Sequence, residues 1–325
     1  MTIQEIISKN RTAIMGFAMI SIMLFHQPFF FRNPFVDFFH LFGYWGVEVF
    51  LFVSGFGVVY SLKKNSIPIY YKNRLKRLLP SCLLAGFGKF IFVKMGFVNH
   101  IPVNTLLLLT SIYLWYIYAL VIYYILAPLL YKILNKSAVA FFISVCVFSF
   151  VCNYIPFGDS DHYFIKYIGW ITSRLPVFVL GMVYALYPIK FSIKHTMIIG
   201  VVLLFISMIL RLGITIPKFH WHFPHTNLFI LFATPMLCVF FSYMHTFASK
   251  LKLTQVSLFF GNFSLELYLW HEYLFWNIYK DERFSSLNLY VKCALAVSIS
   301  IFLAYLTHLL AKYIQDKDCK WFLRK

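Results

Sequence analysis

Residues 43–62 read GYWGVEVFLFVSGFGVVYSL, and residues 70–80 read YYKNRLKRLLP. An apolar stretch long enough to cross a membrane therefore carries one glutamate, Glu48, and leads into a basic run containing Lys63, Lys64, Lys72, Arg74, Lys76 and Arg77. An ionisable side chain at membrane depth costs several kcal/mol by the lower estimates, so its presence points to function. The basic run has a simpler origin, because Lys and Arg collect on the cytoplasmic side of membrane helices.

The rest of the chain has the same character. Of 325 residues, 61% are hydrophobic, 21% aromatic and only 12% charged, with a mean hydropathy of +0.76. A soluble globular domain carries about 25% charge, so that class is excluded. Apolar segments of about 20 residues recur without barrel-like alternation, which makes the chain an all-α polytopic membrane protein. Ten spans are expected, at 12–30, 44–62, 79–97, 105–131, 137–155, 164–187, 196–213, 226–247, 255–278 and 288–311. The fourth is long enough to tilt or to include an interfacial piece, and Pro80 is expected to set the start of the third. The N-terminal MTIQEIISKNR lacks the order of a signal peptide, so the first apolar segment stays as a helix.

The net charge of +18 does not gather into one solvated patch, so nucleic acid is not a partner. Most Lys and Arg fall instead in alternate short connections, including Lys132, Lys136, Lys190, Lys194, Lys250 and Lys252. This bias makes both termini cytoplasmic. The six cysteines, spread through apolar segments without paired spacing, give no disulfide and no metal site. Two outer loops, 157–162 (FGDSDH) and 214–226 (ITIPKFHWHFPHT), mix aromatic, histidine and acidic residues. They suit a sugar acceptor, or belong to the interfacial aromatic belt.

Four groups of polar residues lie within the apolar segments. His26 stands near the outer end of the first span, where an imidazole with an unperturbed pKa of about 6.5 serves as a general base or as a packing histidine bonded to a neighbouring helix. Glu48 lies at about the same expected depth, so it either orients that histidine or pairs with a membrane arginine such as Arg174 or Arg211. Ser54 and Gly55 follow, where small residues allow close helix approach or passage of a narrow ligand. Arg74 and Arg77 share a helix face and offer guanidinium forks to phosphate, or snorkel to the membrane surface. In the ninth span, GNFSLELYLWHEYLFW holds Ser264, Glu266, Tyr268 and His271, which argue for a polar cavity. Arg174, in SRLPVFVLG, adds positive charge at depth.

Taken in order, LFH ending at His26, GVEVFLFVSGF, RLKRLLP, LWYIYAL, SRLPVFVLG and SLELYLWH resemble the acyltransferase 3 family of multipass membrane proteins over most of the chain. The resemblance implies one integral-membrane acyltransferase domain over 1–325, with no appended soluble domain, in a bacterial cytoplasmic membrane. It implies transfer of an acyl group, usually acetyl, from cytoplasmic acetyl-CoA or another acyl-CoA to a cell-surface polysaccharide or lipid-linked sugar. A glycan-synthesis complex or a homo-oligomer is the further association it allows. His26 becomes the catalytic histidine, as base or transient acyl carrier, and Glu48 the acidic position before SGF. Arg74 and Arg77 become the pair engaging the donor. The family's basic position eleven residues before the histidine is Met15 here, and Arg11 lies one turn, roughly 5.4 Å, farther along the same face as its substitute. Ser54, Tyr116 and Tyr268 are candidate donors to charge developing on the thioester oxygen, with Arg174, Glu266 and His271 lining the acceptor side or cavity. A protein exporting polysaccharide or lipid-linked sugar along the same polar path is the alternative reading.

Overall fold

The computed structural model describes residues 2–27, 37, 40, 42–97, 105–111, 114–153, 163–187, 192–213 and 224–322. Among them are twelve α-helices, one 3-10 turn and no strand. In chain order they are α1 (Ile3–Phe25), α2 (Trp45–Lys64), α3 (Ile67–Lys94), α4 (Thr105–Thr110), α5 (Trp115–Leu134) and α6 (Ala138–Asn153). After these come α7 (Tyr163–Leu186), α8 (Ile193–Gly213), α9 (Pro224–Lys250), α10 (Thr254–Asn262), α11 (Ser264–Lys280) and α12 (Leu289–Phe322). Five stretches within them are long and apolar enough to cross a membrane: Trp45–Lys64, Trp115–Leu134, Ile168–Leu186, Phe229–Lys250 and Leu289–Asp316.

Three expected spans differ from the observed elements, each for a local reason. Pro80 does not start a helix: α3 begins at Ile67 and runs through it. Proline removes one backbone donor, but the Lys, Arg and Leu residues before it are strong helix formers, and the helix persists on both sides. The expected segment 105–131 is divided after Thr110. Ser111 adopts φ 55° and turns its hydroxyl away to donate to the Cys82 carbonyl at 3.2 Å. The segment 255–278 is broken at Phe263 (φ −122°, ψ 30°), within Gly261-Asn262-Phe263-Ser264, where glycine and asparagine weaken the helix. In α1, Asn10 is non-helical, and its side chain donates to Ser242 at 2.6 Å.

The chain packs as two compact units. The first comprises Met1–Ala18, Tyr44–Ile67 and Ala119–Gly261. Its centre is α2, which packs on α7 and α9, while α6 covers α7 and α8 covers α9. Because α2 is apolar all round, nearly all of it is interior: 78% of its spanning window is buried. At the contact with α7, a Cβ on Gly55 would lie 2.0 Å from the Phe178 carbonyl oxygen and one on Gly181 would lie 2.1 Å from that of Phe52. Close helix approach is thus what the small residues after Ser54 provide. The outer faces stay apolar, as at Val139 on α6, 75% exposed, which suits hydrocarbon rather than water.

The second unit comprises Met19–Gly43, Pro68–Tyr118 and Asn262–Lys325. Here α11 packs on α12, and Trp270 Nε1 donates to Thr307 at 2.9 Å. Asn288 caps α12 by accepting from Val291 N at 2.9 Å. The α11–α12 connection is tied to the end of α3: the Arg283 guanidinium stacks 3.8 Å over Phe97 and donates to the Met95 and Gly96 carbonyls at 3.2 and 3.3 Å. Tyr273 adds a bond to the Phe97 carbonyl at 2.9 Å. Asp281 accepts from Arg283 at 2.8 and 2.5 Å, and these bonds hold its carboxyl below the ordinary range.

Candidate active site

In the first unit, Glu48 occupies the first turn of α2, where the helix dipole favours a carboxylate. Its Oε1 accepts from Arg174 Nε at 3.0 Å, with the two side chains 1% and 6% exposed. Arg174, on α7, also reaches the Trp170 carbonyl and the Ser173 hydroxyl, each at 3.4 Å. Glu48 Oε2 is buried with no hydrogen-bond partner among the described residues. A charged pair withdrawn from water in this way is strongly coupled, and neither member is cheap to remove alone. Ser54 is buried farther along α2. Arg11, on α1, lays its guanidinium against α2 at Gly57, where a Cβ would lie 3.1 Å from Nη2.

In the second unit, His26 ends α1 and is half-buried. Its Nδ1 lies 2.9 Å from the Ile22 carbonyl and 3.3 Å from Nε2 of His271, and the two rings meet nearly edge-on, 5.0 Å between centroids at 75°. His271, on α11, is fully buried, with Nδ1 3.0 Å from both the Leu267 and Tyr268 carbonyls. The Tyr268 ring lies tilted against two others, 5.4 Å from His271 and 4.6 Å from Tyr116 of α5. Four of the expected site residues thus form one row: His26, His271, Tyr268, Tyr116. Beside His26, burial pushes the His40 imidazole below its ordinary value. Asp37 opposes that shift and the His26 charge adds to it.

Toward the start of α11, Glu266 Oε1 accepts from Ser81 of α3 at 2.7 Å and lies 3.5 Å from Nδ1 of His308 on α12. Farther along, a Cβ on Gly88 would lie 2.6 Å from the Trp270 ring, and Phe92 meets Trp270 and Tyr273 at 6.1 and 6.3 Å. The paired residues ascend together, so α3 and α11 run parallel. Arg74 and Arg77 lie on the same α3, seven and four residues before Ser81. At 1.5 Å per residue they stand roughly 21 and 16 Å along the axis from Gly88, which meets Trp270 beside His271. Arg77 is exposed, whereas Arg74 is half-buried, its guanidinium 5.3 Å from the Tyr70 ring.

Three polar residues of this unit escape a reading by motif: Ser81, His308 and Lys89. Lys89 is wholly buried on α3, next to the Gly88–Trp270 contact. Lys89 in FGKFIFVK and His308 in LTHLL carry the signal that marks Glu48, an ionisable residue in an apolar run. The outer loop 157–162, residues 214–223 of the other and the Arg211 side chain lie outside the described residues. Among the described residues no three His, Cys, Asp or Glu gather as metal ligands.

No curated protein and no solved structure matches the chain. A family model does: the acyltransferase domain of the acyltransferase 3 type matches residues 13–309. That span covers α2 to α11 and most of α1 and α12, and it includes the histidine pair, Glu48 and Arg174, and both arginines of α3. The chain therefore belongs to the acyltransferase 3 family of membrane acyltransferases.

Proposed function

We propose that this chain moves an acyl group, acetyl in the simplest case, from cytoplasmic acyl-CoA to a hydroxyl of a cell-surface glycan or its lipid-linked precursor. The observation that carries the reading lies within the second unit. The parallel pair of α3 and α11 bears exposed and half-buried arginines on α3 toward one end and the buried His271 on α11 toward the other, and His271 backs the half-buried His26 at the end of α1. The axial separation of roughly 16 to 21 Å suits a donor whose phosphates meet Arg74 and Arg77 while its pantetheine arm extends along the helices to His26.

The charge distribution supports the direction of transfer. Ten crossings with both termini cytoplasmic put the basic start of α3 inside, where CoA is made, and His26 near the outer face. Guanidinium forks match the oxygens of a diphosphate. At the other end, His26 takes the proton of the acceptor hydroxyl as its oxygen bonds to the thioester carbon. The carbon–sulfur bond breaks, and the proton passes to the departing thiolate. Tyr116 and Tyr268 are the hydroxyls nearest in the aromatic row to the histidine pair, and we assign them to the acceptor side. Glu48, held by Arg174, is assigned to the organisation of the first unit, with Ser54 and Arg11 beside it on or against α2.

Mass spectrometry of surface glycans tests the reading. Cells expressing the wild-type chain should carry an acyl mass on the glycan that is missing with His26→Ala, while the unmodified polymer still reaches the surface. Loss of the polymer itself would favour an exporter, and retention of the acyl mass would overturn the assignment of His26.

A further inference from the structure

We infer that His271 is the positioning residue of the reaction: it fixes which nitrogen of His26 is the base and holds the charge that His26 acquires. The inference rests on the reading of His26 as base. It follows from counting donors and acceptors around two rings.

His271 Nδ1 faces two main-chain carbonyls, Leu267 and Tyr268, both at 3.0 Å. A carbonyl oxygen only accepts, so Nδ1 carries the proton. In the neutral ring Nε2 then holds a bare lone pair, and that atom faces His26 Nδ1 at 3.3 Å. His26 Nδ1 meets a second acceptor, the Ile22 carbonyl, at 2.9 Å. Flanked by two acceptors, His26 Nδ1 must carry a hydrogen shared between them. A second proton on His271 Nε2 would set two N–H groups head to head. The bare nitrogen of neutral His26 is therefore Nε2, on the edge of the ring turned away from His271.

This arrangement performs with a buried imidazole what a carboxylate performs in other proton-abstracting sites: it selects the tautomer and steadies the imidazolium. When His26 Nε2 takes the hydroxyl proton, the new positive charge is shared with Nδ1–H, whose acceptors are already in place. No proton needs to enter His271. Burial of His271 between Tyr268 at 5.4 Å and Phe275 at 5.8 Å fixes its plane, so the acceptor does not reorient during the step.

Two measurements on the full chain in lipid nanodiscs test the assignment. The first is ¹⁵N NMR of histidine-labelled protein, with His26 assigned by difference against His26→Gln. The expected spectrum has Nδ1 protonated and Nε2 bare at His26; protonation at Nε2 overturns the proposal whether or not acyl transfer occurs. The second uses radiolabelled acetyl-CoA and cell-envelope acceptor. His271→Leu should lower kcat about 10- to 100-fold, the worth of one hydrogen bond to a charged group, with KM for acetyl-CoA nearly unchanged. His271→Gln keeps an acceptor oxygen facing His26 and should recover most of the loss. Equal activity of His271→Leu and wild type, or equal loss in the Leu and Gln variants, overturns the positioning role. If His271→Leu does not fold, the Gln variant and the spectrum still decide. If His26→Ala transfers label as well as wild type, the underlying reading fails instead.

Discussion

Glu48–Arg174 in the first unit and His26–His271 in the second are opposite kinds of buried polar pair. In the first unit Glu48 and Arg174 are formal charges, both almost fully buried, joined at 3.0 Å. In the second His26 and His271 are imidazoles, one buried and one half open, joined at 3.3 Å. The ion pair joins α2 to α7, two helices that pack directly on each other. On the proposed assignment, the imidazole pair leaves a basic nitrogen on its open edge and handles a proton. Each pair has a buried titratable member, so burial does not by itself identify chemistry.

The comparison is broken most severely at its two centres. His26→Ala should reduce acyl transfer by about 10²- to 10⁴-fold, the usual contribution of a general base, with the yield of folded protein unchanged in size-exclusion profiles. Arg174→Met should do the reverse. It leaves the Glu48 carboxylate buried without its partner and should cost about 3–5 kcal/mol of stability, seen as a lower melting temperature in detergent. The double variant Glu48→Leu/Arg174→Met should regain most of that loss; if it is no more stable than Arg174→Met, the pair is not the source of the cost.

A smaller effect sharpens the contrast between the two ends of α3. Replacing Arg74 and Arg77 by alanine should weaken binding of CoA roughly tenfold per arginine, the value of a charge-assisted hydrogen bond, without altering the histidine pair. Isothermal titration with CoA reads this directly, and unchanged affinity removes the phosphate assignment. The smallest effect lies at the Asp281–Arg283 tie. Its hydrogen bonds lower the Asp281 carboxyl below the ordinary value of 3.8. Its stabilisation is therefore complete above that value and is lost as pH falls through the depressed one. Hydrogen exchange in the α11–α12 connection should be flat between pH 7 and 5 after correction for intrinsic rates, rising only on stronger acidification. In Arg283→Met it should be raised throughout.

How much of this was legible in the chain divides along a physical line. Hydropathy reports depth, and depth made His26, Glu48, Glu266 and His271 visible as polar residues in apolar helices, in the order that marks the family. Pairing requires rotation about each helix axis and the relative placement of helices distant in sequence. That His26 meets a residue 245 positions away, and that Glu48 meets Arg174, depends on both. The breaks at Ser111 and Phe263 were hidden for a related reason: each is decided by where a hydroxyl or a weak helix former finds its partners, while the apolar run continues unbroken across it. Pro80 misled in the other direction, since a strong local signal was outweighed by the helix-forming residues on either side.

The close approach of α2 and α7 at Gly55 and Gly181 has a consequence for how the chain tolerates variation. With backbone oxygens 2.0 and 2.1 Å from where any Cβ would stand, each position admits a one-letter alphabet, and even alanine must pry α2 from α7. Exposed apolar sites such as Val139 on α6 should accept any apolar residue. A saturation library scored for folded protein should therefore show two intolerant columns, at Gly55 and Gly181, in a permissive field.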